Sequence, residues 1–232
     1  MAFYDHFAFG QPTRIGLWLE QKAKENEYNY LKSFLPDDKN ISILEIGPGK
    51  GLLAIIFMEN GYKNYDIVEP NHIMNKNMIE KGVRKAGNYF IPRLQENDNS
   101  YDLIIATHVF EHLNDAKEAD LFISEAKRVL RKEGMIFIVS PDYNNFKNDF
   151  FNCDYSHNYV TTLRRTMQIF ANHRLRTLGF KYTYSCFQGM LGALLSKIVK
   201  LATFWCHGNS IDSKPYNLRL TFSKCFAIAA IK

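Results

Sequence analysis

The chain has 232 residues, 46% apolar and 23% charged, with a formal net charge of +5. That is enough for one substantial core and short for two, with apolar and charged fractions ordinary for a soluble globular protein. Cys153, Cys186, Cys206 and Cys225 form no Cys-x-x-Cys pair, which argues against a zinc site or disulfide framework and predicts reduced thiols, a cytoplasmic location and no bound metal. Met1 to Gly10 has no basic segment leading into an apolar run, so no secretory signal is read there. The charge is uneven: after Tyr155 eleven Lys and Arg residues face a single acid, Asp212, a net of +10 that leaves −5 for the rest. A segment this basic raises the local concentration of anions, whether phosphorylated small molecules, nucleic acid or anionic lipid.

Ile15, Leu17, Trp18, Leu19, Tyr28, Leu31, Phe34 and Leu35 recur at imperfect helical spacing up to Pro36-Asp37-Asp38, predicting an N-terminal helix that caps the sheet. Arg14 stands at its start and is a candidate for reaching a ligand carboxylate. Ser42 to Ile46 reads as a buried parallel strand that breaks at Gly47-Pro48-Gly49-Lys50-Gly51 into a helix from Leu52 to Asn60, stopped by Gly61. Glycines at every second position let a ligand lie on the backbone while the helix start presents unpaired N–H groups. The loop is not a P-loop, because Lys50 is followed by Gly51 and Leu52 and no hydroxyl is available for a metal. Nor is it a dinucleotide fingerprint: the glycine spacing differs, and Glu45 at the strand end would repel a pyrophosphate. A cationic ligand with an amino-acid end fits better.

Tyr65 to Glu69 is a second strand, followed by Pro70-Asn71 and a helix to Val83. Ligands of open α/β sheets bind outside the carboxyl ends of strands, so Glu69 lies beside the glycine loop with two oxygens for a ribose. Asn88 to Arg93 is a weaker third strand. Tyr101 to Thr107 is a clear fourth, running into His108-Val109-Phe110-Glu111-His112-Leu113. Asn114 or Asp115 caps the next helix, whose core face is Leu121, Phe122, Ala126, Val129 and Leu130 and which ends at Gly134. Met135 to Val139 is the fifth strand, closing with Ser140-Pro141-Asp142-Tyr143.

The glycine loop with its preceding Glu45, Glu69, and the His108 to Leu113 segment together resemble the class I S-adenosylmethionine-dependent methyltransferases, in particular the small-molecule group of type 11 and 23 that includes ubiquinone-biosynthesis and polyketide enzymes. The resemblance covers roughly residues 41–143. It implies an α/β fold, a doubly wound, mostly parallel seven-stranded Rossmann-like sheet with helices on both faces and an inserted helical lid. It also implies S-adenosylmethionine as cofactor, held by Glu45, Gly47, Pro48, Gly49, Gly51, Glu69, Pro70, Asn71, His108 and Val109. The acid that accepts from the adenine amino group in similar enzymes is replaced by Phe90 and Ile91, so Gln95 or a backbone group with apolar stacking is expected there. A single domain is expected over 1–232: a cap helix in 1–40, a cofactor-binding core in 41–143, an acceptor-binding and lid region in 144–217, and a closing segment in 218–232.

Beyond Tyr143 the loop to Asn158 is polar and aromatic. Thr161 to Leu178 reads as a basic helix ending at Gly179, residues 182–187 as a strand, and Leu218 to Ile231 as one or two closing strands. Gly189 to Trp205 is strongly apolar but interrupted by Lys197 and Lys200 and short for a membrane span. It reads as a covering helix over the acceptor pocket, or alternatively as an interfacial helix making peripheral membrane contact.

Methyl transfer to oxygen needs a proton acceptor near neutral pKa, a role suited to histidine. His157 is the first candidate, oriented by Asp154, and His112 the second. Asp154, Tyr155, Arg164 and Arg165 are the candidate acceptor-binding residues, the arginines as clamps for an anionic group. The expected reaction is O-methylation of an anionic small molecule, such as a phosphorylated or nucleotide-linked sugar or a surface-polysaccharide precursor. Nucleic acid is disfavoured, because neither an Asn/Asp-Pro-Pro-Tyr/Phe motif nor a catalytic Pro-Cys is present. A non-catalytic cofactor-binding subunit and a lipid-directed enzyme remain as alternatives.

Overall fold

The computed structural model describes residues 13–208, 210 and 213–232. Its strands are β1 (Ile43–Ile46), β2 (Tyr65–Val68), β3 (Lys85–Gly87), β4 (Tyr101–Thr107), β5 (Leu130–Pro141), β6 (Arg176–Tyr184), β7 (Phe187–Gln188) and β8 (Cys225–Ile231). They form one sheet in the order β3-β2-β1-β4-β5-β8-β6-β7. The first five are parallel, whereas β8 runs antiparallel to β5 and β6, and β7 is the short return of a hairpin from β6. That return is the eighth strand, where seven were expected.

The parallel strands read as continuous apolar runs because both faces of the sheet are covered. Ile43, Leu103, Ile105, Phe137 and Val139 pack beneath α1 (Arg14–Lys32), α2 (Leu52–Glu59) and α3 (His72–Glu80). Leu44, Ile46, Ile104, Ala106, Ile136 and Ile138 face the opposite layer, where α4 (Ala116–Val129) contributes Phe122, Ile123 and Ala126. Asp115 caps α4 by accepting from the N–H groups of Lys117 and Glu118 at 2.8 and 2.9 Å. Since β1 pairs with β2 on one side and β4 on the other, the chain reverses direction across the sheet at β1, which opens a crevice at the carboxyl ends.

Several expected boundaries are corrected. The third strand is Lys85–Gly87, and residues 88–93 form a loop beyond it. The helix expected to reach Gly134 stops at Val129, because Leu130 already pairs with Tyr101 in the sheet. The basic helix expected over Thr161 to Leu178 is only α7, Leu163–Asn172, after short α5 (Tyr143–Phe146) and α6 (Asp149–Asn152). Gly179 lies inside β6 at a register shift, under Tyr30 and Phe34, where a β-carbon would approach both side chains to 3.0 Å. Leu218 belongs to a helix, not to a closing strand.

The two last helices, α8 (Gly189–Ala202) and α9 (Lys214–Thr221), follow β7. α8 is inverted relative to an ordinary surface helix: Gly192 and Ser196 are buried, while Leu191, Leu194, Ile198 and Leu201 are exposed. Among the described residues no helix is long and apolar enough to cross a membrane.

Candidate functional site

A cavity of about 790 Å³ lies at the carboxyl ends of β1, β2 and β4. This is the size of pocket that encloses a cofactor-sized ligand. The turn after β1 forms one wall. Gly47, Gly49 and Gly51 adopt φ of +64°, +55° and +74°, a region that side chains with a β-carbon rarely enter. The turn is also tight: a β-carbon on Gly47 would come within 2.6 Å of Val109 Cγ2, and one on Gly51 within 2.1 Å of Met78 Sδ. Gly47, Pro48 and Gly49 border the cavity, while Gly51 stands behind them as the cap of α2.

Glu69, Pro70 and Asn71 form the next wall. Glu69 is buried, and its Oε1 accepts the Asn71 N–H at 2.9 Å. Burial raises its pKa, opposed by the backbone N–H groups of Asn71 and Gly49. Asn75 and Asn88 both donate to the Glu69 carbonyl, at 3.1 and 2.9 Å, and so fix the strand end that aims the carboxylate. Tyr89, Phe90 and Ile91 supply an apolar wall where an aromatic ring system can stack. Gln95 does not border the cavity; it is exposed, and its N–H donates to the Tyr89 hydroxyl at 3.3 Å.

The floor holds a network that sequence reasoning missed. Glu20, Lys24 and Glu27 occupy one face of α1, and Lys24 Nζ reaches Glu27 Oε2 at 2.9 Å and Thr107 Oγ1 at 3.1 Å. Spacing of i, i+4 and i+7 was the available signal. Glu20 and Lys24 border the cavity, whereas Arg14 is exposed at the start of α1 and does not. Glu45 also lies outside the lining, buried beneath it and accepting from the Tyr65 hydroxyl at 2.8 Å. Its burial pushes the carboxyl up to about 7, although Tyr65 and Lys24 pull it down. Burial alone would lower Lys24, but Glu27, with Glu45 and Glu20, raises it above the ordinary lysine value.

The far end of the cavity is made by the turn after β4. His108 takes φ +57°, unusual for a side chain with a β-carbon, and its N–H donates to the Val139 carbonyl at 2.8 Å. This bend brings His108, Val109 and His112 to the cavity. Glu111 lies beneath, its Oε2 accepting from Ser140 Oγ at 2.9 Å. Burial alone would raise the Glu111 carboxyl, but the neighbouring His108, His112 and His157 hold it down to about 2.

The expected pairing of Asp154 with His157 is not present. Asp154 Oδ1 accepts from Ser156 Oγ at 2.6 Å, and Ser156 Oγ is 2.8 Å from His112 Nδ1. With its single proton directed at Asp154, the Ser156 hydroxyl must accept from His112 Nδ1–H. His157 is buried and borders no part of the cavity; its Nδ1 donates to the Phe150 carbonyl at 2.7 Å. Burial lowers its pKa, opposed by Glu111. The preference for His157 over His112 is therefore corrected on position: the loop after β5 folds beneath the cavity instead of overhanging it. Tyr155 is exposed and Asp154 partly buried, both outside the cavity lining.

The arginines do not form a clamp at this cavity. Arg164 is exposed, while Arg165 donates to the Val160 carbonyl at 2.7 Å and stacks on Tyr159, its guanidinium carbon 4.6 Å from the ring centroid. α8 packs against β6 and β7 and is not among the residues lining this cavity, over which a covering helix was expected.

A methyltransferase-domain family matches residues 18–183. Together with the glycine turn, Glu69 and the apolar wall, this places the chain in the class I S-adenosylmethionine-dependent methyltransferases. The ubiquinone biosynthesis O-methyltransferase of Pelagibacter ubique (strain HTCC1062) is 29% identical over 111 residues, 44% of this chain and 42% of that relative's length. The chain thus matches less than half of that curated relative. An S-adenosylmethionine-dependent methyltransferase from Mesorhizobium loti superposes with a TM-score of 0.64 at 10% identity, over 89% of this chain and 97% of the other. An S-adenosylmethionine-dependent methyltransferase from Thermotoga maritima gives 0.60 at 16% identity, over 93% and 92% of the two chains. At such identities the superpositions establish the fold.

Proposed function

We propose that this chain transfers the methyl group of S-adenosylmethionine to an oxygen of a small, anionic acceptor, and that His112 stands where the acceptor hydroxyl meets the methyl group. When bound, the cofactor supplies an electrophilic methyl on a sulfonium leaving group. The chain's own work is then mainly to hold the two reactants in near-attack geometry. The turn at Gly47 and Gly49 lies against the ligand backbone-first, Glu69 offers its oxygens to paired hydroxyls, and Tyr89 to Ile91 offer a flat apolar surface.

The observation that carries the assignment of His112 is the hydrogen-bonded run from Asp154 through Ser156 to Nδ1. It directs His112 Nδ1–H at Ser156 and so fixes the orientation of the ring at the cavity. The likeness to a ubiquinone-biosynthesis O-methyltransferase supports oxygen as the acceptor atom. The basic last third of the sequence supports an anionic acceptor through long-range attraction, since neither Arg164 nor Arg165 reaches the cavity. Turnover of labelled S-adenosylmethionine with sugar phosphates, nucleotide-sugars and phenolic lipids tests this reading. Methyl transfer to an anionic sugar hydroxyl supports it; transfer only to an amine, or none in any class, overturns it.

The outward face of α8 supports a second element of function, contact with an anionic lipid surface. Leu191, Leu194, Ile198 and Leu201 follow a three-four-three spacing, and all are exposed, as is Trp205 in the turn beyond the helix. Lys197 is exposed among them, and no acid lies between Tyr155 and Asp212 to repel such a surface. A helix of fourteen residues is about 21 Å long, suited to lying in the interface and too short to cross.

A further inference from the structure

We infer that Glu118, held by Asn114, is the acceptor for the exocyclic amino group of the cofactor's purine, and that this pair sets the cavity's preference for a 6-aminopurine over a 6-oxopurine. The inference rests on the reading of an adenosyl cofactor and deepens it. Glu69 serves the ribose and Tyr89 to Ile91 the face of the base, which leaves the polar edge of the base to another residue.

The acids of the loop after β3 are engaged elsewhere. Glu96 is buried and accepts from the Tyr89 hydroxyl, and Asp98 pairs with Arg128 at 2.6 Å. Among the described residues three carboxylates border the cavity: Glu20, Glu69 and Glu118. The layers of the fold separate them. Glu20 belongs to α1, whose Tyr28 and Leu31 pack in the layer of Ile43 and Phe137. Tyr89 and Ile91 pack on the opposite layer, together with Phe122 and Ile123 of α4. Glu69 follows β2 and is turned to the N–H groups of Asn71 and Gly49. Glu118 is thus the acid on the layer that carries the apolar wall.

The loop that makes this wall is fastened to the same face of α4. Leu94 N–H donates to Glu125 Oε2 at 3.2 Å, and Arg128 Nη2 donates to the Leu94 carbonyl at 2.8 Å. Glu118 stands seven residues before Glu125, two turns up one helix face and about 10 Å away. Three residues of extended chain, from Leu94 back to Ile91, span about the same distance. Phe90, Ile91, Leu113, Asn114 and Glu118 accordingly border one cavity.

Glu118 Oε2 accepts the Asn114 N–H and its Oε1 accepts from Asn114 Nδ2, each at 2.9 Å. Such a contact resembles a helix cap, which is the simpler reason for an acid in the first turn. It occupies one lone pair on each oxygen and leaves another, and the Asn114 amide keeps a second N–H. A carboxylate beside an amide N–H complements an amino group beside a bare ring nitrogen: the amino group donates to Glu118, and the ring nitrogen accepts from Asn114. A 6-oxopurine reverses both contacts, setting oxygen against the carboxylate and a ring N–H against the amide.

The test is calorimetry of the full chain with S-adenosylhomocysteine and with S-inosylhomocysteine, its 6-oxo counterpart. Wild type should prefer the amino compound by about 10- to 100-fold, the range for a hydrogen bond to a charged group. Glu118→Gln still accepts from Asn114 but can donate to a 6-oxo group, so the preference should shrink at least about fivefold. A purely capping role would lower both affinities together and leave their ratio unmoved. Equal affinity of the wild type for the two compounds, or a preference that Glu118→Gln leaves unchanged, overturns the inference and leaves the cofactor reading standing. Binding of neither compound by the wild type overturns that reading, and the inference with it.

Discussion

His112 and His157 stand edge to face, ring centroids 4.8 Å apart, and of the two only His112 borders the cavity. On the proposed function only His112 is placed to meet the acceptor. His112→Ala is expected to lower kcat by about 10²-fold or more while S-adenosylhomocysteine affinity stays within about twofold. Steady-state kinetics beside calorimetry checks this, and unchanged kcat would remove His112 from the reaction.

The glycine turn separates binding from stability. Gly47→Ala places a methyl group into Val109 at the cavity wall. Cofactor affinity should therefore fall by at least about tenfold, a loss larger than the destabilisation that the left-handed backbone imposes at both positions. Gly51→Ala meets Met78 behind the wall, and the left-handed conformation adds about 1–2 kcal/mol, so thermal stability should drop first. Equal effects of the two substitutions on both quantities would contradict this division.

Glu45 makes stability depend on pH. Its folded-state pKa, about 7, lies above the ordinary value of 4.5, so the folded chain holds the proton more tightly than the unfolded one. The associated stabilisation is fully present below about pH 4.5 and lost as pH rises through 7, on the order of 3 kcal/mol. Glu45→Gln keeps an acceptor for Tyr65 but cannot ionise. Its melting temperature relative to wild type should be several degrees more favourable at pH 8 than at pH 5. A difference independent of pH would show that Glu45 does not titrate in this window.

The α8 face gives a prediction of location. Vesicles rich in anionic phospholipid should sediment the wild-type chain, and Ile198→Glu with Leu201→Glu should weaken this at least about tenfold. Phosphatidylcholine vesicles should bind little, since the lysines contribute about 1 kcal/mol each only near negative charge. Concentration-dependent self-association without vesicle binding would assign the face to a second copy instead.

Most of the parallel half of the fold was legible because β1, β2, β4 and β5 are largely apolar runs bounded by glycine or by a capping Asn or Asp, whereas β3 (Lys85–Gly87) carries no such run. Gly47 to Gly51, Glu69 and His108 were legible for the same reason: a bend between buried strand and helix needs particular residues. The antiparallel half was not. Arg176 to Tyr184 carries alternating basic and aromatic residues that suit either a helix or a strand, and only pairing with β8 decides it. Gln95 was misplaced because the third strand ends at Gly87, before the expected start at Asn88, and the loop beyond it brings Tyr89, Phe90 and Ile91 to the cavity instead. The contacts of Lys24 with Thr107 and of His112 with Ser156 span 83 and 44 residues, which no local pattern encodes.

Central to the account is that Glu69 and the glycine turn bind the adenosyl cofactor. Calorimetry of S-adenosylhomocysteine with the wild-type chain and with Glu69→Ala tests it most directly. The account predicts a single binding event in the wild type and a loss of about 10- to 100-fold in the variant, the range for hydrogen bonds to a charged group. Equal affinities, or no heat with either chain, would contradict it.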